Sequence, residues 1–117
     1  KHVFNYSISK NWDVENDKLY SKGKQMRSVW SIPSTPKREK LEGNHPTQKP
    51  LELLKRLVSM CTNEGDTVLD PFCGSGTTGV ACVLLNRNFI GIDLDQSFLE
   101  LAAKRIESAN ENNSEDI

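Results

Sequence analysis

A glycine-rich run between two short apolar segments constrains the fold of this 117-residue chain more than any other feature. Residues 70–79 read DPFCGSGTTG and follow the apolar segment 67–69. A second apolar segment, 89–92, is followed by Asp93. Short apolar segments joined through a glycine turn and a helix-length stretch are typical of a βαβ unit with parallel strands. We therefore predict an α/β fold, with Asp70 and Asp93 at the carboxyl ends of adjacent strands.

Helical periodicity on both sides of this unit predicts the helices that pack on its strands. Pro50 is predicted to open a helix whose apolar residues recur at three- and four-residue steps. These residues are Leu51, Leu54, Leu57, Val58 and Cys61. A second helix is predicted over residues 78–85, and Asp95 is predicted to cap a last helix. The apolar face of the last helix comprises Phe98, Leu99, Ala102, Ala103 and Ile106. The polar residues 108–117 are expected to fray.

The first 44 residues are predicted to form two short strands joined by loops. Residues 3–8 alternate apolar and polar side chains, and residues 28–32 form a second strand-like segment. Residues 34–44 are charged and contain proline, which indicates a lid or a connector. Residues 1–44 carry nine Lys and Arg against five Asp and Glu, a net charge of +4. This balance is compatible with contact to nucleic acid and equally with an exposed loop.

The cysteines and the hydropathy indicate a cytoplasmic protein without a metal site or a membrane segment. Cys61, Cys73 and Cys82 are odd in number and lack metal-ligand spacing, so we interpret them as reduced and mostly buried thiols. No apolar run approaches the roughly 20 residues that a membrane span requires.

The two strand-end carboxylates suit opposite ends of S-adenosylmethionine. Asp70 could accept a hydrogen bond from the α-ammonium group, an interaction of about 1.5–3 kcal/mol. Asp93 could accept from both ribose hydroxyls, and Leu94 could pack on the adenine. The alternative is that Asp70 only caps the glycine turn, as Asp–Pro sequences often do. Asp95 could also exchange roles with Asp93 without changing the ligand class.

The glycine run itself favours the same ligand over a dinucleotide. Gly74 and Gly76 would let a methionine moiety lie against bare backbone, and Thr77 and Thr78 would offer hydroxyls at the helix start. The run also matches the GxGxxG pattern of dinucleotide-binding folds. However, Asp70 would repel a pyrophosphate, and no lysine follows Gly76 as a phosphate-binding loop requires. The candidate cofactor-binding residues of this region are Asp70, Phe72, Gly74, Ser75, Gly76, Thr77, Thr78, Asp93 and Leu94.

A third segment, HPTQKP at residues 45–50, precedes the first predicted helix. A helix N-terminus favours a carboxylate because its first backbone N–H groups are unpaired. Thr47 and Lys49 could therefore engage the α-carboxylate of the cofactor, with His45 beside them. Taken alone, the segment is equally typical of a loop before a helix.

Together these three segments resemble the DNA amino-methyltransferases that modify adenine N6 or cytosine N4. The resemblance is to the circularly permuted group, in which the cofactor-binding half follows the catalytic half, and it covers roughly residues 28–108. It implies part of a Rossmann-like sheet in an S-adenosylmethionine-dependent enzyme of bacterial or archaeal cytosol that acts on double-stranded DNA. It also implies a place in a restriction–modification system. Residues 1–44 would end the target-recognition region, residues 45–110 would form the cofactor-binding half, and residues 111–117 would be a polar tail. Possible DNA contacts are Trp12, Tyr20, Lys22, Lys24 and Arg27.

The catalytic motif of that family does not occur in the 117 residues. The motif is an Asp, Asn or Ser followed by two prolines and an aromatic residue, and it holds the amino group of the flipped base. We therefore expect a missing N-terminal catalytic half that docks at an exposed sheet edge, and no methyl transfer to DNA by this chain alone. Adenine N6 is the expected target. Cytosine N4, a non-catalytic cofactor-binding module that completes another chain, and half of a nicotinamide-dependent oxidoreductase are the alternatives.

Overall fold

The computed structural model describes residues 3–10, 12, 25–26, 30–32, 34–40 and 48–115. Its elements in chain order are α1 (Tyr6–Lys10), a 3₁₀ helix (Lys37–Lys40), α2 (Leu51–Cys61), β1 (Thr67–Asp70), α3 (Thr77–Leu84), β2 (Asn88–Gly91) and α4 (Gln96–Glu115). The predicted βαβ unit is confirmed, because β1 and β2 pair in parallel and α3 connects them.

The register of the two strands brings their carboxyl ends together. Thr67 lies opposite Asn88, and Asp70 lies opposite Gly91. Pairing continues past the end of β2, since the N–H of Ile92 donates to the carbonyl oxygen of Asp70 at 2.9 Å. Asp93 therefore follows the sheet by two residues, rather than ending β2 as the sequence predicted.

The core lies on one face of this two-stranded sheet. Its buried centre is formed by Val58 of α2 with Ala81 and Cys82 of α3. Partly buried side chains complete it, namely Leu51, Leu54, Val68, Leu85 and Phe89. Because side chains alternate along a strand, the opposite face carries Leu69 and Ile90, which are 59% and 54% exposed. The described part of the chain thus covers only one face of its sheet.

Helix α3 approaches its neighbours closely because it contains a glycine. A Cβ atom on Gly79 would lie 2.5 Å from Cδ1 of Ile106 and 2.7 Å from the Phe89 ring. The absence of a side chain therefore lets α3 pack between α4 and β2.

The strand predicted for residues 3–8 is wrong. Residues 6–10 form α1, and the preceding Asn5 binds the end of α2. Its side-chain amide donates to the carbonyl oxygens of Ser59 and Thr62, both at 2.8 Å, and its N–H donates to that of Met60. The segment therefore contacts α2 through the polar residue Asn5 and does not pair in a sheet, and its apolar residues Val3, Phe4 and Tyr6 are exposed. Residues 30–32 are also not a strand, and residues 28 and 29 lie outside the described part.

Helix α2 has the predicted bounds but a more polar buried face. Leu57 and Cys61 are exposed, whereas Arg56 is fully buried. The guanidinium of Arg56 lies 5.3 Å from the Trp30 ring centroid and 3.1 Å from Glu52. The N-terminal region packs on this face, which the periodicity of the helix alone does not reveal.

Helix α4 continues to Glu115, well beyond the point at which the sequence was expected to fray. Its buried residues are Leu101, Ala102, Arg105 and Ala109, whereas the predicted core residue Ala103 is exposed. Among the described residues, no helix is both long and apolar enough to cross a membrane.

Candidate functional site

The carboxylate of Asp70 organises both ends of the glycine loop, defined as residues 71–77 and so including Thr77, the first residue of α3. Its Oδ1 accepts a hydrogen bond from the N–H of Phe72 at 3.1 Å. Its Oδ2 accepts from the hydroxyl of Thr78, in the first turn of α3, at 2.7 Å. Asp70 therefore caps the glycine turn, which is the alternative role that its Asp–Pro sequence indicates.

The carboxylate of Asp93 reaches the same loop from the neighbouring strand. Its Oδ2 accepts from the N–H of Gly74 at 2.9 Å, and its Oδ1 accepts from the N–H of Asp95 at 2.9 Å. Because Phe72 and Gly74 are two residues apart, the two carboxylates bracket one short piece of backbone. They lie at the same edge of the sheet.

Both carboxylates keep the capacity to bind a ligand. An ionised carboxylate has about four acceptor positions, and the bonds described above use two on each side chain. The bonds to Phe72, Gly74 and Thr78 hold the side chains in place, so little rotamer freedom remains to be lost on binding. A pair of fixed anions at adjacent strand ends can accept from an ammonium group and from vicinal hydroxyls.

The buried thiol of Cys73 lies close to β2, since a Cβ atom on Gly91 would be 3.1 Å from its Sγ. Burial raises its pKa, and the negative charges of Asp93 and Asp70 raise it further. Its N–H donates to the carbonyl oxygen of Ile92 at 3.0 Å. A raised pKa keeps the thiol protonated near neutral pH, so Cys73 packs beneath the loop and is unsuited to act as a nucleophile.

Two exposed apolar side chains accompany the carboxylates. Phe72, two residues after Asp70, is 87% exposed, and Leu94, directly after Asp93, is fully exposed. Ligand sites combine apolar side chains with a small number of fixed polar groups, and this edge of the sheet carries both. Their chemistry fits the flat, apolar faces of a purine.

The inner side of the loop is buried. Ser75 and Thr77 are each 4% exposed, and Gly76 begins α3 with a left-handed φ of 81°. The hydroxyl of Thr77 donates to the backbone carbonyl of Lys49 at 3.2 Å. The hydroxyls of Thr77 and Thr78 thus form hydrogen bonds within the protein, whereas the sequence predicted that they would bind a ligand.

Sequence reasoning missed Arg105, which contacts this inner side. Its Nη1 donates to the carbonyl oxygen of Ser75 at 2.8 Å, and to the hydroxyls of Ser75 and Thr77, both at 3.0 Å. One signal was available: Arg105 falls at helical spacing between Ala102 and Ala109, so it lies on the apolar face of α4.

The start of α2 is partly occupied by another carboxylate. Oε2 of Glu39, in the 3₁₀ helix, accepts from the N–H of Leu51 at 3.0 Å. The side chain of Gln48 donates to the carbonyl oxygen of Glu39 at 2.7 Å. This first N–H of α2 is therefore paired within the protein. Lys49 is exposed here, and His45 and Thr47 lie outside the described residues.

The structure also bears on the predictions for Asp95 and for the candidate DNA contacts. Asp95 caps α4 as predicted, since its Oδ1 accepts from the N–H of Ser97 at 2.9 Å. Trp12, a candidate DNA contact, instead donates its indole N–H to Glu52 of α2 at 2.6 Å. The other candidate DNA contacts, Tyr20, Lys22, Lys24 and Arg27, lie outside the described residues. Among residues that the structure describes, no cluster of three or more His, Cys, Asp and Glu could hold a metal ion.

Comparison with known proteins places this geometry in context. The DNA methylase family model N6_N4_Mtase matches residues 1–104. The chain is 50% identical over 113 residues to the Type II methyltransferase M2.DpnII of Streptococcus pneumoniae, covering 97% of this chain and 39% of that relative. It is 38% identical over 98 residues to the DNA adenine methyltransferase YhdJ of Escherichia coli (strain K12), covering 84% of this chain and 33% of that relative.

A solved structure matches about half of this chain. The crystal structure of an M1.HpyAVI–SAM complex matches 55% of this chain and 33% of its own chain, with 53% sequence identity and a TM-score of 0.52. The chain thus spans less than two-fifths of the length of the relatives compared with it here.

Proposed function

The chain belongs to the N6/N4 DNA methylase family, and from this premise we propose that it forms the S-adenosylmethionine-binding part of a DNA methyltransferase acting on adenine N6. The observation that carries the proposal is the pair of carboxylates, Asp70 and Asp93, that hold one glycine loop from adjacent strand ends. The complex of M1.HpyAVI with SAM and the adenine specificity in the name of the Escherichia coli relative support the cofactor and the target. Cytosine N4 is the alternative target.

Each side of the site has a distinct role in this proposal. Asp70 accepts from the α-ammonium group of the cofactor, and Asp93 accepts from the ribose hydroxyls. Phe72 and Leu94 cover the faces of the adenine, which removes apolar surface from water. Lys49, with His45 and Thr47, attracts the α-carboxylate. When bound, the cofactor supplies the methyl group on its sulfonium.

In this proposal the loop binds the cofactor through its backbone conformation more than through its hydroxyl groups. Gly74 and Gly76 have φ values of 52° and 81°, a region that residues with a Cβ rarely adopt. These two glycines bring the backbone around Ser75 close to α4 while Phe72 projects outward. The backbone of the loop, rather than Thr77 or Thr78, therefore faces the methionine moiety in this proposal.

The exposed sheet face is proposed to bind the rest of the methyltransferase domain. Leu69, Ile90 and Ile92 are 59%, 54% and 52% exposed, whereas parallel sheets in larger proteins are covered on both faces. The missing part would also supply the catalytic motif and most of the contact with double-stranded DNA. The whole enzyme would work in the cytoplasm, and this chain alone would be inactive.

Cofactor binding is tested by calorimetric titration of the chain with S-adenosylhomocysteine and, separately, with NAD. We expect saturable binding of S-adenosylhomocysteine and no heat of binding with NAD. Binding of NAD would favour the oxidoreductase alternative. NAD has no α-ammonium group, so its binding would not depend on the role proposed for Asp70.

The activity is tested in a chimera in which this chain replaces the matching segment of the Streptococcus pneumoniae relative. We expect the chimera to transfer a labelled methyl group to adenine in DNA and the isolated chain to transfer none. The choice between adenine N6 and cytosine N4 is tested in the full-length protein, where label recovered in cytosine would redirect the proposal to N4. A chimera that binds S-adenosylhomocysteine but methylates no DNA would favour a non-catalytic module.

A further inference from the structure

Arg105 of α4 is a buried cation whose described hydrogen bonds all go to the glycine loop. The residue is 7% exposed, and one nitrogen, Nη1, donates to Ser75 twice and to Thr77 once, at 2.8–3.0 Å. The residues that it holds are separated from it by 28 and 30 positions in the chain. This contact therefore depends on the tertiary fold and not on local sequence.

The burial of this guanidinium has to be compensated. Burial lowers the pKa of Arg105, and the negative charge of Glu39 opposes that change. Arginine nevertheless remains charged near neutral pH. Hydrogen bonds from a charged donor are stronger than those between neutral groups. The three loop acceptors consequently form a rigid attachment, since moving them away would leave a buried charge with fewer partners.

A second contact fixes the loop to the same helix one turn earlier. A Cβ atom on Gly76 would lie 2.7 Å from Cβ and 3.0 Å from Cα of Ala102. The backbone of Gly76 thus rests directly on α4, three residues before Arg105. Thr77 extends the attachment to the start of α2 through its bond to the carbonyl oxygen of Lys49.

The inner contacts of the loop are flanked along the chain by its outer contacts. Gly74 and Thr78 bind the carboxylates of Asp93 and Asp70. Ser75 and Thr77, which lie between them, bind Arg105. Any shift of the inner residues would therefore move the outer ones, and both carboxylates would lose their alignment together.

We propose that Arg105 is a positioning residue for cofactor binding, which holds Ser75 and Thr77 from behind so that Asp70 and Asp93 keep the spacing that the cofactor requires. This inference rests on the proposed function. It assigns to α4 a role in cofactor affinity although Arg105 itself does not touch the ligand.

The test uses Arg105→Met and Arg105→Lys in the chimera, with Lys104→Met as the matched control. Lys104 is the adjacent residue of α4, and its side chain is exposed. We expect Arg105→Met to raise the KM for S-adenosylmethionine roughly ten- to hundredfold, as expected for loss of hydrogen bonds from a charged donor. We expect the kcat at saturating cofactor and the KM for DNA to change by less than about twofold. Arg105→Lys, which keeps the charge, should restore part of the affinity.

A merely structural role predicts a different pattern. Loss of folded enzyme would lower the apparent kcat and the melting temperature and leave the KM for S-adenosylmethionine unchanged. Should Arg105→Met fail to fold, Arg105→Lys combined with Thr77→Val carries the test. If Arg105 acts through Thr77, the two changes in KM are less than additive in free energy, whereas full additivity would overturn the proposal.

The outcomes separate the two proposals. A wild-type chimera with neither methylation nor binding of S-adenosylhomocysteine would remove both. An active chimera in which Arg105→Met leaves the KM for S-adenosylmethionine unchanged would remove only the inference about Arg105.

Discussion

The carboxylate of Asp93 combines two tasks that a single substitution can separate. It fixes the loop through the N–H of Gly74, and in the proposed function it accepts from the ribose. An amide at this position keeps one acceptor oxygen but loses the charge and replaces the other oxygen by a donor. A donor facing either backbone N–H would repel it. Charge and geometry at Asp93 are therefore both needed.

Asp93→Asn is expected to weaken binding of S-adenosylhomocysteine roughly ten- to hundredfold, because charge-assisted hydrogen bonds are lost. Titration calorimetry of the chain measures the change. Asp66→Asn is the matched control, since Asp66 is an exposed carboxylate at the opposite end of β1 that accepts from the N–H of Asn63. An equal loss of affinity in both variants would contradict a ribose-binding role for Asp93.

The three thiols are expected to differ in reactivity. Burial raises the pKa of Cys82 to about 11, with opposing effects of Arg87 and Asp70, and the pKa of Cys73 is also raised. A raised pKa means less thiolate at a given pH, and the thiolate is the reactive form. Iodoacetamide at pH 8 should therefore modify the exposed Cys61 first. Mass spectrometry of the native chain checks the order, and early labelling of Cys82 would show that α3 opens readily.

At the scale of elements, the loop and α4 form one unit because of Gly76. Its φ of 81° strains any residue with a Cβ, and Ala102 leaves no space for one. Gly65 has a similar φ of 86°, yet nothing lies within 4 Å of the position of its Cβ. Comparing the same substitution at Gly65 and at Gly76 therefore separates the free-energy cost of backbone strain from the cost of a clash with α4.

Gly65→Ala is expected to reduce the free energy of unfolding by about 1–2 kcal/mol, the usual cost of a left-handed conformation. Gly76→Ala is expected to cost a further 1–3 kcal/mol, roughly, because the loop must move away from α4. Urea unfolding of the two variants measures both values. Equal losses would mean that the contact between Gly76 and Ala102 contributes nothing to stability.

Element boundaries show which parts of the fold the sequence can predict. The bounds of α2, β1 and α3 follow their apolar periodicity within one residue, because these elements pack on each other locally. Residues 3–8 have the alternation of a strand but form no strand, since Asn5 binds the end of α2. The apolar residues Val3, Phe4 and Tyr6 of this segment are exposed, so their alternation identifies neither a strand nor a buried face.

At the scale of the whole molecule, one face of the two-stranded sheet is left uncovered by the described residues. Leu69 and Ile90 project from adjacent strands on this face, next to each other in the register. Burying two such side chains would contribute roughly 1.5–3 kcal/mol each. That contribution would stabilise a complete methyltransferase domain and would be missing from the isolated chain.

Ile90→Lys is therefore expected to behave differently in the two contexts. In the isolated chain the free energy of unfolding should change by less than about 0.5 kcal/mol, as for other exposed positions. In the chimera it should fall by several kcal/mol, roughly, because a charge would be buried without a partner. Thr67→Lys, at the exposed start of β1, is the control. A similarly small effect of Ile90→Lys in the chimera would show that this face stays open.

The sequence by itself determined the βαβ order and the position of Asp70 and Asp93 near the carboxyl ends of adjacent strands, whereas the structure showed that Asp93 lies two residues past the end of β2. These properties follow from local periodicity and from glycines whose φ values are set within a few residues. Only the tertiary structure decided that Thr77 faces inward, that Glu39 binds the start of α2 and that Arg105 lies behind the loop. Such contacts join residues 12–30 positions apart, and whether they form depends on how the helices pack rather than on the preference of any one segment.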